Sequence, residues 1–229
     1  HTMAVQAVEL SSDGTIAVTG DASGKVQLTA LNAAGAAAAP KPLAGQSGAV
    51  TALALSNDRS LVASGSETGL VKLWNAADGA DRLSLAGHAG AVRDVAIRPD
   101  GKLIASAGAD GTIRIWNLPA ASVAVAGHTM PVTAVAVDPK GTLMATASAD
   151  GTVRISQVAD GKFVRALTGH KGAVNAVAFS TTGTHIATGG ADGTARLWTV
   201  ADGKQTAIFE HGAAAVSYTH LTLPTIQPV

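Results

Sequence analysis

Residues 86–117, AGHAGAVRDVAIRPDGKLIASAGADGTIRIWN, decide the fold of this chain. The turn sequences Pro99-Asp100-Gly101 and Asp110-Gly111 divide this stretch and the residues after it into four short runs rich in alternating apolar residues: 92–97, 102–107, 112–116 and 122–126. Alternating runs of this length, bounded by Asp-Gly turns, predict antiparallel strands joined by hairpins. The stretch therefore predicts one four-stranded antiparallel sheet.

The same pattern recurs along the whole chain. Gly-His pairs end at His88, His128 and His170, at steps of 40 and 42 residues. Gln46 stands 42 residues before His88, and His211 stands 41 residues after His170. A fixed period of this size indicates stacked structural units, and four short strands per unit are typical of one blade of a β-propeller.

We therefore expect an all-β propeller of about five consecutive four-stranded blades over residues 1–215. The predicted repeats are 1–42, 43–85, 86–125, 126–167 and 168–209, with the start of a sixth at 210–215. The first repeat is longer because residues 33–42, AAGAAAAPKP, form an inserted loop. An ordinary β-sandwich is the alternative, but a sandwich gives no reason for Gly-His and Asp-Gly-Thr to recur in one register.

These repeats resemble the WD40 repeat family over nearly all of residues 1–211. The family motif has a Gly-His before the first strand, an Asp in the second hairpin turn, and a Trp-Asp at the end of the third strand. The resemblance implies a buried hydrogen-bonded tetrad of His, Ser or Thr, Asp and Trp in each blade, which would satisfy a carboxylate that is costly to bury alone. The matching positions are His88, Ser106, Asp110 and Trp116, then His128, Thr146 and Asp150, then His170, Thr188, Asp192 and Trp198.

The first, second and fourth repeats depart from this pattern. In the fourth repeat, Ser156 stands where the Trp is expected. The second repeat has Gln46 and Thr68 in place of His and Asp, and keeps Ser64 and Trp74. The corresponding positions of the first repeat hold Thr19, Ser23 and Thr29. We therefore expect the first two blades to be the least firmly cross-linked.

Composition and motif searches argue against several classes of function. Sixteen basic residues balance sixteen acidic ones, so no positive surplus is available for a nucleic-acid backbone. The chain has no cysteine and no run of about 18 apolar residues that would predict a membrane helix. Gly-x-Ser-x-Gly, His-Glu-x-x-His, Walker A and dinucleotide-binding motifs are all missing. We therefore expect no catalytic, cofactor-binding or metal-binding residues, and no enzyme activity.

A partner-binding role is what the resemblance implies instead, since WD40 partners commonly dock on the top face around the channel mouth. The matching positions here are Gln6, Thr51, Glu67, Arg93, Thr133 and Asn175. Arg93 is of a type that often dominates binding energy, and Glu67 is a possible complement on the neighbouring blade. The alternative is that these are solvated rim residues with no partner.

The sequence thus predicts a scaffold that binds a protein or peptide, with no nucleic acid and no membrane as partner. The alternative is a regulatory or sensor propeller of a larger enzyme whose catalytic domain is missing from this sequence. The oligomeric state is not predicted. The compartment also stays open, with the cytoplasm slightly favoured.

Both ends of the chain suggest a piece of a longer protein. Propellers close with about 4–8 blades, and members of the family typically close with seven. The Ala-rich, regular repeats resemble bacterial members. Residues 216–221, VSYTHL, resemble the in-frame translation of a sequencing-library transposon end, so we interpret 216–229 as a non-repeat tail of artificial origin. A short natural extended tail is the alternative.

Overall fold

The structure is a computed structural model of the chain. It describes residues 1–32, 37–118, 121–125 and 127–210, without the side chains of 121–124. Within these residues, twenty strands form five four-stranded antiparallel sheets, and no helix occurs. The predicted all-β architecture of five consecutive propeller blades is therefore confirmed. Apart from Glu210, the predicted start of a sixth repeat and the tail at 216–229 lie outside the described residues.

Each blade takes four consecutive strands of the chain, in chain order across the sheet. The first blade comprises β1 (Val5–Leu10), β2 (Ile16–Asp21), β3 (Val26–Ala30) and β4 (Lys41–Leu43). The second comprises β5 (Val50–Leu55), β6 (Leu61–Ser66), β7 (Leu70–Asn75) and β8 (Asp81–Ala86). The third comprises β9 (Val92–Ile97), β10 (Leu103–Gly108), β11 (Ile113–Asn117) and β12 (Ala121–Val125). The fourth comprises β13 (Val132–Val137), β14 (Leu143–Ser148), β15 (Thr152–Gln157) and β16 (Phe163–Thr168). The fifth comprises β17 (Val174–Phe179), β18 (His185–Gly190), β19 (Thr194–Thr199) and β20 (Gln205–Glu210).

The Asp-Gly turns of the sequence form the hairpins between these strands. In the third blade, Gly101 and Gly111 have φ values of 68° and 77°, a region that glycine enters without the steric cost of a Cβ. The carboxylate before each glycine accepts a bond from a backbone N–H two residues further on: Asp100 from Lys102 and Asp110 from Thr112. Such side-chain bonds stabilise the turn and fix the register of the strands that it joins.

Successive blades pack face to face through apolar side chains. Between the third and fourth blades, Leu103 and Ile115 lie in one buried cluster with Val132, Val135 and Met144, each at most 5% exposed. Equivalent clusters join the first blade to the second, the second to the third, and the fourth to the fifth. Burying one such side chain contributes about 1.5–3 kcal/mol, so these contacts are the main force that holds the blades together.

The outward faces of the first and fifth blades are exposed in the described part of the chain. The inner strands contact one another in the order β1, β5, β9, β13 and β17, and no comparable contact between β17 and β1 occurs among the described residues. Val8 is 59% exposed, whereas Val95 and Val135, at the same position of the third and fourth blades, are 4% and 5% exposed. On the fifth blade, Phe209 is 60% exposed. The five blades therefore form an arc with two apolar end faces.

The five inner strands line a channel of about 770 Å³. Residues of all five line it, together with short turns at one end that contain Ser12, Asn57, Pro99 and Pro139. In the residues that the structure describes, no helix is long and apolar enough to cross a membrane.

Candidate functional site

The third blade contains a complete set of His, Ser, Asp and Trp side chains in contact. His88 Nε2 lies 2.7 Å from Ser106 Oγ, and Trp116 Nε1 lies 2.9 Å from the same oxygen. On its other side, His88 Nδ1 lies 3.2 Å from both oxygens of Asp110. Ser106 is fully buried and His88 is 8% exposed. The set thus connects the loop before β9 with β10, its following turn, and β11.

The Asp110 carboxylate determines the direction of the hydrogen bonds that His88 makes in this set. A carboxylate can only accept, so the neutral His88 ring carries its hydrogen on Nδ1 and donates it to Asp110. Nε2 is then an acceptor, so Ser106 Oγ donates its own hydrogen to Nε2 and accepts from the indole N–H of Trp116. Each of these polar groups is therefore satisfied without water.

Asp110 is held as a carboxylate by several donors. Its oxygens accept from the backbone N–H groups of Ala89 (2.8 Å) and Thr112 (3.0 Å), and from the Thr112 hydroxyl (2.8 Å). Burial raises the pKa of Asp110, but these bonds together with the bond from His88 outweigh burial and lower the pKa to about 2. Burial also lowers the pKa of His88, against the opposing effect of Asp110. At neutral pH the pair is a neutral imidazole beside an ionised carboxylate.

The fifth blade repeats this arrangement. Thr188 Oγ1 lies 2.8 Å from His170 Nε2 and 2.9 Å from Trp198 Nε1, and His170 Nδ1 lies 3.0 Å from Asp192. Burial raises the pKa of Asp192, but bonds from Lys171, His170 and Thr194 reverse this effect and hold the pKa well below its usual range. The residues named from the sequence for this blade are therefore brought together.

The fourth blade keeps three of the four side chains. His128 lies 3.0 Å from Thr146 Oγ1 through Nε2 and 2.9 Å from Asp150 through Nδ1. Burial raises the pKa of Asp150, but its bonds, led by the one from the Thr152 hydroxyl, bring the pKa to about 2. Ser156, buried at 3% exposure, stands in the place of the indole. This blade therefore keeps the His–Thr–Asp contacts without an indole donor.

The first blade differs from the sequence-based expectation, because Asp21 supplies a carboxylate that the repeat pattern places at Ser23. His1 Nδ1 lies 2.7 Å from Asp21 Oδ2, and His1 Nε2 lies 2.7 Å from Thr19 Oγ1. Asp21 is fully buried, and its other oxygen accepts from Ser23 and from the Lys25 backbone. This blade therefore has a His–Thr–Asp set, with its carboxylate two residues before the position that the other repeats indicate.

In the second blade, Ser64 and Trp74 do not bond to each other. Trp74 Nε1 donates to the backbone oxygen of Ala44 at 2.8 Å, and Ser64 Oγ is buried with no partner among the described residues. Instead, Lys72, only 4% exposed, forms an ion pair with Asp81 and lies 5.9 Å from the Trp74 ring. In this blade, whose tetrad has no histidine, the Lys72 ammonium thus lies beside the tryptophan ring.

These polar sets are separate from the channel. None of the tetrad residues is among the described residues that line it, whose charged members are Glu9, Arg93 and Asp94. Over the described ranges, no group of three or more His, Asp or Glu side chains is placed to hold a metal ion. The tetrads therefore act as cross-links within the blades.

Five of the six predicted partner-binding residues lie on the inner strands and line the channel: Gln6, Thr51, Arg93, Thr133 and Asn175. Glu67 is exposed in the turn after β6 and accepts a bond from the backbone of Ala49 at 3.2 Å. The structure does not place Glu67 in the channel wall.

The hydroxyls of two of these residues are already bonded to the neighbouring blade. Thr51 donates to the backbone oxygen of Val92, and Thr133 donates to that of Val174, each at 2.5 Å. Arg93 is exposed. Of the residues predicted to bind a partner, Arg93 thus combines an exposed side chain with a full charge and a place in the channel wall.

Asp94 is a residue that the sequence analysis missed. It follows Arg93 on β9, and its Oδ2 accepts from the backbone N–H of Val135 on the fourth blade at 2.8 Å. The signal was present in the repeats, because every other blade has alanine at this position: Ala7, Ala52, Ala134 and Ala176.

Radially adjacent four-stranded sheets, cross-linked by buried His–Asp pairs and stacked through apolar faces, define a repeat-built propeller protein. The family described as WD domain, G-beta repeat matches residues 40–75, 80–117, 122–155 and 161–199, which are more than half of the chain. The chain therefore belongs to the WD40 repeat family, whose repeats generally mediate protein–protein interactions. No curated protein matches the chain.

The matched repeats are offset from the blades. The repeat at 80–117 contains β8, which is the outer strand of the second blade, and then β9, β10 and β11 of the third. Each matched repeat therefore spans the boundary between two blades.

Proposed function

We propose that this chain is a non-catalytic interaction scaffold, and that its protein or peptide partner docks at the channel mouth around Arg93. The observation that carries this proposal is the position of Arg93, an exposed cation in a channel wall made mostly of small apolar and hydroxyl-bearing residues. Arginine presents a planar fork of donors that suits carboxylates and backbone carbonyls of a partner.

The hydrogen bonds of the other polar side chains support a non-catalytic role. The histidines and aspartates of the third, fourth and fifth blades bond to one another and to backbone groups between strands. A catalytic pair needs a reacting group within hydrogen-bond reach, and these pairs are cross-links outside the channel. The balanced charge of the chain likewise favours a protein partner over a nucleic acid or an anionic membrane.

The rigid frame supports recognition by shape. Thr51 and Thr133 tie the inner strands of neighbouring blades together, and these bonds hold the backbone of the channel wall in place. A preorganised surface loses less conformational entropy when a partner binds. Gln6 and Asn175 add polar groups on the first and fifth blades, at the two ends of the arc.

The proposal is tested by charge reversal at Arg93. Proteins retained by the immobilised wild-type chain are compared with those retained by Arg93→Glu and by Arg82→Glu, which makes the same change at an exposed position of the outer strand β8. A retained protein is then purified and titrated directly by calorimetry. We expect Arg93→Glu to weaken its binding at least tenfold and Arg82→Glu to leave it unchanged. Equal binding by all three chains would refute docking at this mouth.

A further inference from the structure

At three boundaries between adjacent blades, a side-chain hydrogen bond ties the inner strands together. Thr51 joins the second blade to the third, and Thr133 joins the fourth to the fifth; both hydroxyls donate to a backbone oxygen. Between the third and fourth blades Arg93 occupies the threonine position, and Asp94 makes the tie by accepting the Val135 N–H at 2.8 Å. The side-chain tie at this boundary is therefore made by a titratable group, whereas the ties at the other two are made by hydroxyls.

Asp94 differs from its counterparts in chemistry and not in backbone position. It pairs with Ala107 of β10 in the same register in which Ala134 pairs with Ala147 of β14. Its Oδ1 accepts the N–H of Val95 at 2.9 Å, so both carboxylate oxygens bind backbone amides, one in its own strand and one across the boundary.

We propose that Asp94 is a proton-controlled tie between the third and fourth blades, and that loss of its charge releases the bond to Val135 and loosens the channel wall beside Arg93. A carboxylate has two good acceptor oxygens, but a protonated carboxyl retains one and gains a donor. The bond to Val95 is held by the adjacent peptide unit of the same strand. The bond to Val135 has no such covalent support, so it is the one lost.

The surroundings of Asp94 place its titration near neutrality. The strands that contact β9, namely β5, β6, β10 and β13, carry no titratable side chain. Glu9 on β1 and Arg93 on β9 are the other charged groups among the described residues that line the channel. Burial and the charge of Glu9 raise the pKa of Asp94, the bonds from Val135 and Val95 lower it, and the net result is a pKa of about 7.

Protonation of Asp94 weakens one local hydrogen bond but does not weaken the fold as a whole. Protonation removes the cost of burying a charge, so it does not lower the overall stability of the fold. It removes only the better acceptor for the Val135 N–H. Protonation of Asp94 therefore changes one blade boundary in the channel wall while the blades remain folded. This proposal does not depend on what binds at the channel mouth.

The test is residue-specific amide NMR of the whole chain between pH 5 and pH 9. In the wild type we expect the Val135 amide resonance to titrate near pH 7, and its exchange protection, corrected for intrinsic exchange, to fall about tenfold from pH 8.5 to pH 5.5. Val95 should keep its protection. In Asp94→Asn the titration should vanish, and in Glu9→Gln it should persist with a lower midpoint, because a neighbouring negative charge is removed.

Three results would overturn the proposal, and the first two need only the wild type. One is a Val135 amide that neither shifts nor changes protection over this pH range. Another is protection that is lost at Val95 and retained at Val135. The third is a Val135 titration that persists in Asp94→Asn, which would assign it to a different group.

Discussion

Trp116 donates its indole hydrogen to the Ser106 hydroxyl across 2.9 Å, at the buried end of the polar set of the third blade. At the other end the Asp110 carboxylate can only accept, so the His88 hydrogen lies on Nδ1 and the Ser106 hydroxyl donates to Nε2. One acceptor-only group thus selects the tautomer of the histidine beside it.

The tautomer of His88 is therefore a direct prediction. Nitrogen NMR of the imidazole should show a neutral ring at pH 7 that carries its hydrogen on Nδ1, since burial lowers the pKa of His88. Replacing Trp116 by Phe should leave this tautomer unchanged, because the Asp110 carboxylate can only accept and so keeps the hydrogen on Nδ1. A hydrogen found on Nε2 of His88 in the wild type would contradict the proposed direction.

The carboxylate of Asp110 should make stability depend on acid. Its pKa in the folded state is about 2, below the ordinary carboxyl value, so its contribution is present above about pH 4 and is lost as the pH falls through 2. Urea unfolding should show Asp110→Asn about 2 kcal/mol less stable than the wild type at pH 7, with the gap shrinking towards pH 2.5. Asp160→Asn is the control, since Asp160 accepts one turn bond in an exposed position. A gap that does not change with pH would argue against an ionised Asp110.

Gly108 should not tolerate alanine. A Cβ at this position would lie 2.3 Å from both Asp110 Oδ1 and His88 Nδ1, so the two side chains would have to separate. We expect Gly108→Ala to cost about 3 kcal/mol in thermal or urea unfolding. Gly90→Ala is a nearby control, because its Cβ would meet nothing closer than 3.5 Å and we expect a change below about 0.5 kcal/mol. Equal costs for the two variants would show that the polar set adjusts freely.

Val8 and Val135 occupy the same position in different blades and test the packing between blades. Val135 is 5% exposed between the third and fourth blades, whereas Val8 is 59% exposed on the outward face of the first. Val135→Ala should lower the free energy of unfolding by about 2 kcal/mol, and Val8→Ala by less than about 0.5 kcal/mol. Comparable losses would mean that the first blade has a neighbour in solution.

The strands and the complete tetrads were predictable because both follow from local or periodic signals. Asp-Gly turns fix hairpins locally, and the spacing from His88 to Asp110 recurs from His128 to Asp150, so repetition marks the residues that meet. The carboxylate of the first blade was not predicted because it stands two positions before the one that the other repeats indicate. Asp21 is the last residue of β2, whereas Ser23 lies in the turn that follows, and Asp21 reaches His1 across 2.7 Å.

The side-chain contacts in the second blade and in the channel wall were not predicted, for a different reason. Trp74 turns to a backbone oxygen, and Lys72 pairs with Asp81, through contacts that no motif specifies. The sequence shows Asp94 at a position where the other blades have alanine. Its hydrogen bond could not be predicted from the sequence, because its partner is the backbone N–H of Val135 on the neighbouring blade.

The offset between matched repeats and blades has a consequence for how such a gene can change in length. If residues 80–117 were excised as one block, residue 79 would join residue 118, and β12 would follow β7. The second blade would then inherit the outer strand of the third, and no sheet would be left with three strands. Excising the block 80–117 would therefore remove one whole blade and leave every remaining sheet with four strands.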